Sequence, residues 1–149
     1  MIHTQSQLGP SPIAPELIVG AAEAALAHEA AAGDLTVVLA GDAQLQALNR
    51  RYLGIDAPTD VLAFPGSQPD PETGVVYLGD IVISLAQAET QARAAGHPLE
   101  SEVQLLVVHG VLHLLGHDHD QAEAKSRMWT AQGAVLRHLG LPEFVIREL

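Results

Sequence analysis

Residues 103–119 read VQLLVVHGVLHLLGHDH, an apolar run of helical character that ends in a polar knot and carries four of the chain's eight histidines, His109, His113, His117 and His119. On an α-helix, residues four apart are separated by roughly 40° around the axis and about 6 Å along it, so His109 and His113 project from one face close enough to share an ion. Gly116 follows three residues after His113. With no Cβ it can end the helix in a left-handed turn and fold the chain back, bringing His117 or His119 toward the pair. A histidine pair alone on a buried helix is more often a hydrogen-bonded core pair than a metal site. The third histidine beyond the glycine tips the reading to a metal.

Three neutral nitrogen ligands with a fourth position open is the arrangement of a catalytic zinc, whereas a structural zinc is closed by four protein ligands. His119 is preferred as the third ligand. The spacing His-x3-His-x2-Gly-x2-His, counted at His109, His113, Gly116 and His119, is that of the metzincin zinc site, and it leaves His117 as a neighbour. Metzincins carry glutamate directly after the first histidine as general base; here that position is Gly110, so a peptidase built on this helix lacks its base. What remains is an ion able to activate water and neutralise the charge developing on a phosphoryl group, which suits hydrolysis of a phosphodiester. Zinc is the expected ion, and nickel or iron suit the same ligands.

Working outward, Leu99 to Leu115 reads as one long apolar helix, and Asp120 with Glu123 forms a capping pattern for a further helix ending near Gly140. Upstream, Val75 to Ser84 is the strongest strand signal, with Gly79-Asp80 marking a bulge or a close approach. Ser84 and Gln87 make a capping box for a helix that stops at Gly96. Val61 to Phe64 reads as a short apolar strand after the turn-rich elbow at residues 55–60. Asp42 caps a short helix closed by Gly54, and Leu35 to Ala40 is a β-branched strand. An alanine-rich helix runs to about Ala32, where Gly33 supplies a stop, and residues 1–13 read as a loosely ordered lead-in. The order is α-β-α-β-β-α-α-α over residues 1–149, in one domain without repeats or a dividing linker.

Composition narrows the function. With 48% hydrophobic and 17% charged residues, the chain has enough apolar surface for a packed core. Its net charge of −11 disfavours binding nucleic acid through a broad basic surface, so any nucleic acid must be met locally. The absence of cysteine removes disulfides, thiolate nucleophiles and cysteine metal sites together. The opening residues show neither a basic start nor a long apolar run, and the stretch from Val103 to Gly116 is too short to span a bilayer. The expectation is a soluble cytoplasmic protein with no membrane partner.

Other residues carry weaker signals. Asp118, between two histidines, either orients a ligand or positions water, or simply caps its loop as an Asx turn. Asp60 and Asp80 sit at strand edges, where turn capping and bulge formation are the better reading. Arg50 and Arg51, followed by Tyr52, form either a small phosphate-binding spot or a solvated helix face. His3, His28, His97 and His138 are scattered and receive no role.

The run from His109 to His119 resembles the signature His-Gly-x-Leu-His-Leu-x-Gly-[Tyr/His]-Asp-His of the YbeY family of metal-dependent endoribonucleases. Two further segments agree in order and spacing, Leu48 to Pro65 and Leu78-Gly79-Asp80-Ile81, so the resemblance covers roughly Leu35 to Gly140. It implies a zincin-like α+β fold, a small mixed sheet packed against helices with the metal-binding helix at the base of a cleft. It also implies His109, His113 and His119 as zinc ligands, the set that the spacing reaches separately. The activity implied is single-strand-specific endoribonuclease action in forming the 3′ end of small-subunit ribosomal RNA and in ribosome quality control. Single-stranded ribosomal RNA, the ribosome or its proteins, and an assembly GTPase are the implied partners. A non-catalytic ribosome-assembly or RNA-binding factor with a structural metal is the alternative.

Three positions depart from the commonest family pattern. Leu53 stands where arginine is frequent, Ala63 where serine is usual, and His117 where tyrosine is common. Arg51 or Arg50 is the candidate to reach the cleft in place of the missing arginine. His117 is a spare imidazole suited to proton transfer, substrate contact or service as an alternative ligand beside the metal, with Asp118 as a further catalytic candidate.

Overall fold

Over residues 1–147, which the computed structural model describes, the chain runs β1 (Ile2–Ser6), α1 (Pro15–His28), β2 (Asp34–Ala40), α2 (Asp42–Leu53), β3 (Val61–Pro65), β4 (Tyr77–Ser84), α3 (Leu85–Ala95), α4 (Leu99–Leu114) and α5 (Ala122–His138). The strands form one mixed sheet in the order β1-β2-β4-β3, with β3 antiparallel to β4 and the other pairs parallel. Alternation along β2 and β4 splits their side chains between two cores. Leu35, Val37, Leu39, Ile81 and Ile83 face the main helical layer, while Val38, Ala40 and Val82 meet Leu45 of α2 on the opposite face. Both faces of these central strands are therefore covered, which is why they read as near-continuous apolar runs.

The histidine helix is the centre of the main layer. α4 contacts α1, α3, α5, β3 and β4. From Val103 to Leu112 every residue except Gln104 is buried, including His109 and Gly110. Each fully buried Leu or Val contributes roughly 1.5–3 kcal/mol, so the helix is fixed by its packing rather than by a cap; its N-cap, Pro98, makes no side-chain hydrogen bond.

Five local expectations change. Residues 2–6, read as lead-in, form an edge strand in register with β2 from Ile2↔Leu35 to Ser6↔Leu39. Their polar sequence gives no strand signal, because the pairing is made by backbone groups on the open edge of β2 and supported by an ion pair between the Met1 ammonium and Asp34. The first helix stops at His28 rather than near Ala32; Ala30 turns left-handed at φ 50 before Gly33 is reached. Asp42 is the first residue of α2 and not its cap. Its carboxylate instead accepts from Ser84 Oγ at 2.7 Å and from Gln87 Nε2 at 3.1 Å. Ser84 does cap α3 through the Gln87 N–H, but the side chain of Gln87 goes to Asp42, so only half of the expected box forms. The Asp120–Glu123 pattern is not used either, since α5 begins at Ala122 after Gln121 without a side-chain cap.

β4 bulges where it pairs with β2. The register of β4 against β2 shifts between Tyr77 and Gly79. Gly79 takes φ 140, and a Cβ there would lie 2.1 Å from the Phe64 carbonyl oxygen and 2.9 Å from Leu114 Cδ2. The bulge and the close approach expected at Gly79 are thus the same feature, and they set β3 beside the end of α4.

Candidate metal centre

His109 and His113 occupy one face of α4, and their Nε2 atoms lie 3.1 Å apart. The helix ends at Gly116, where φ 96 permits the reversal: the Gly116 N–H donates to the His113 carbonyl and the His117 N–H to the Leu112 carbonyl, both at 3.0 Å. Two residues on, Asp118 Oδ1 accepts from the His119 N–H at 2.7 Å and pins the returning loop. The result brings one ring nitrogen each of His109, His113 and His119 to within 4.8 Å of one another. Trp129 of α5 lies nearly parallel to both His119 and His109, with ring centroids 5.7 and 5.8 Å away.

The protonation of His109 follows from its neighbours. Gln132 Nε2 donates to the Arg147 carbonyl at 2.8 Å, so Gln132 Oε1 is the acceptor facing His109 Nδ1 at 3.0 Å. His109 therefore carries its proton on Nδ1 and turns the lone pair of Nε2 toward His113 and His119. Burial pushes His109 down to about 4, and burial followed by the charge of His119 lowers His113 as well. Both rings are neutral near pH 7, as metal ligands must be. Replacing Gln132 by leucine is expected to weaken metal affinity ~10–100-fold without unfolding the protein; titration with a competing chelator measures this, and unchanged affinity would remove Gln132 from the site.

The triad opens into a cleft of about 1000 Å3 between α4, β3 and the loop after Gly116, with Leu53, Asp60 and Arg147 also on its walls. Asp60 plays its expected turn role, accepting from the Val61 N–H at 2.8 Å, and also accepts from Gln91 Nε2 at 3.2 Å. Gly110 faces Ile81, whose Cγ2 would be 2.8 Å from an added Cβ. The position that holds the general base in metzincins is thus closed to any side chain here by the packing of α4 on β4.

The other sequence candidates separate. His117 lines the cleft, but its Nε2 pairs with Glu29 at the end of α1. Asp118 lines the cleft and is exposed, its carboxyl held below the usual range chiefly by the His119 N–H. Arg51 is not among the cleft residues. It is exposed on the last turn of α2, with its guanidinium 5.2 Å over the ring of Tyr52, so the expectation that it reaches the cleft is not met. Asp80 accepts from Tyr77 Oη, which also bonds Thr36, a residue of the opposite sheet face. Sequence reading missed Gln132, Trp129 and Arg147. A glutamine or tryptophan in a helix carries no periodic signal, and Arg147 is brought to the site only by the tertiary fold.

Fold and site together define a small α+β domain built around a three-histidine group able to hold a metal ion. The family model described as Endoribonuclease YbeY matches residues 13–140, and the chain belongs to that family. It is 46% identical over 111 residues to the Endoribonuclease YbeY of Pelotomaculum thermopropionicum, covering 72% of this chain and 73% of that one. Against the protein of the same name from Moorella thermoacetica it is 44% identical over 128 residues, covering 80% and 82%. The fold also matches the solution structure of a Thermotoga maritima protein with TM-score 0.65 and 26% identity, over 93% of this chain and 89% of that one.

Proposed function

We propose that this chain is a zinc-dependent, single-strand-specific endoribonuclease of the cytoplasm that acts in 3′-end maturation of small-subunit ribosomal RNA and in ribosome quality control. The observation that carries the reading is the convergence of His109, His113 and His119 at the floor of an open cleft, in a chain whose relatives are named endoribonucleases. The donor set suits zinc: three imidazoles and no cysteine, with the His109–His113 nitrogen separation of 3.1 Å close to the about 3.3 Å between two nitrogens on a tetrahedral zinc. Nickel or iron fit the same ligands. Bound there, the ion would supply Lewis acidity toward the scissile phosphodiester.

The chain's own residues supply the rest. Gln132 holds His109 in its ligating tautomer, and Trp129 walls the triad on the α5 side. We assign proton exchange with the attacking and leaving oxygens to His117 and Asp118, which line the cleft beside the triad; for His117 Nε2 this requires release from Glu29. The triad is recessed, with His109 only 5% exposed, so a strand must be splayed into the cleft, which favours unpaired RNA over a stiff duplex. A net charge of −11 gives no long-range attraction to RNA. Delivery therefore falls to the ribosome, its proteins or an assembly GTPase.

Elemental analysis of purified protein, beside cleavage of a single-stranded RNA with and without chelator, tests this. One zinc per chain and cleavage abolished by chelation are expected. Bound zinc with no metal-dependent cleavage would favour an assembly factor with a structural metal, and a folded protein that binds no metal would overturn the reading.

A further inference from the structure

Among the described residues lining the cleft, Arg147 is the only lysine or arginine. It stands in a chain of net charge −11 and shares the cleft with Asp60, Asp118 and Asp120. Leu53, on the same wall system, brings no charge. Arg147 also lies outside residues 13–140, the span the family model matches.

The guanidinium is fixed from behind. Nη2 donates to Glu102 Oε2 at 2.6 Å, and Nη1 lies 3.5 Å from His97 Nε2. Glu102 is a fully buried residue of α4, and its other oxygen, 3.1 Å from His97 Nε2, makes no hydrogen bond. A guanidinium has five N–H donors in a rigid fork, and these two contacts leave others unused. The side chain remains 30% exposed. An arginine anchored by a buried carboxylate, with donors to spare at a cleft, is suited to take a phosphate oxygen.

We propose that Arg147 is the phosphate-contacting residue of the cleft, holding the backbone of the bound strand while its own carbonyl, through Gln132, holds His109. One residue thereby ties the position of the substrate to that of the metal-competent triad. This rests on the endoribonuclease reading.

Removing Arg147 alone would strand the buried Glu102 carboxylate, so the test compares Glu102→Gln with the double variant Glu102→Gln/Arg147→Gln. These two differ only in the arginine, and neither leaves a buried unpaired charge. Anisotropy of a fluorescein-labelled single-stranded RNA is followed across potassium chloride concentrations, with metal content and thermal midpoint measured on each protein. Glu102→Gln keeps an amide oxygen to accept from Arg147, and should bind RNA within a few-fold of wild type. The double variant should bind about tenfold more weakly, with the slope of log K against log salt shallower by about one, metal content unchanged, and cleavage impaired more in KM than in kcat. Equal affinity and slope in the two variants would overturn the proposal, as would a loss of binding explained by lost metal. Should the double variant fail to fold, Arg147→Lys decides: the slope is retained with affinity several-fold lower, because an ammonium lacks the fork, and wild-type affinity overturns the assignment. Wild-type protein that neither binds nor cuts RNA would sink the endoribonuclease reading itself, whereas wild type that does both beside two indistinguishable variants sinks this proposal alone.

Discussion

His113→Ala should retain its fold, lose its metal and lose RNA cleavage by a factor on the order of 10³ or more. The size follows from the donor count, since removing one of three imidazoles leaves two nitrogens, too few to hold an ion against water. The fold should survive because the His113 ring is only partly buried and its contacts are to the other site histidines. Below about pH 6.5, metal-free His113→Ala is expected to lose less stability on acidification than the metal-free wild type, because burial and the His119 charge disfavour a proton on His113 in the folded state. Calorimetry of both apoproteins, with elemental analysis and a cleavage assay, checks all three statements. Ribosome association retained while cleavage is lost would separate an enzyme from an assembly factor; metal-dependent cleavage at wild-type rate would remove His113 from the ligand set.

Much of this site was legible in the sequence because helical geometry is local. The spacing of His109 and His113 fixes their common face, and Gly116 announces the turn that returns His117 or His119, between which the metzincin-like spacing chooses His119. The strands β2, β3 and β4 were legible for the same kind of reason: β-branched runs bounded by turns. The misses share a cause of the opposite kind. β1 is a strand only because β2 offers an unpaired edge, and residues Ile2–Ser6 by themselves have no apolar alternation strong enough to declare it. Asp42 looked like a cap because capping is a local rule, yet its carboxylate is claimed by Ser84 and Gln87, more than 40 residues away in sequence. Gln132 and Arg147 acquire meaning only from what the fold sets beside them.

Gly79→Ala should cost ~4 kcal/mol or more and deform the cleft as well as the sheet. A Cβ at this position meets the Phe64 carbonyl oxygen at 2.1 Å, where backbone rather than a flexible side chain stands in the way, and φ 140 already disfavours any L side chain. Relief requires β3 to move off β4, and β3 is a wall of the cleft. Leu114, at the end of the histidine helix, meets the same Cβ at 2.9 Å and would be pushed with it. The comparison is Gly74→Ala, where φ 72 is also left-handed but nothing lies within 4 Å of an added Cβ; its expected cost is only about 1–2 kcal/mol. Chemical denaturation of the pair separates clash from backbone strain. Equal losses for Gly74→Ala and Gly79→Ala would show that the crowding at the bulge is relieved cheaply.

The ring of contacts from Glu102 to Arg147, and from the Arg147 carbonyl through Gln132 to His109, closes over 45 residues of sequence. A polypeptide is synthesised from its amino end, so the histidines of α4 are made before residue 147 exists. Until then Gln132 lacks the carbonyl that orients its amide, and His109 is free to exchange its ring proton between nitrogens. The centre is consequently completed only once a residue made 38 positions after His109 has docked. A nascent chain that has not yet reached residue 147 carries the ligands without the bracing that sets them.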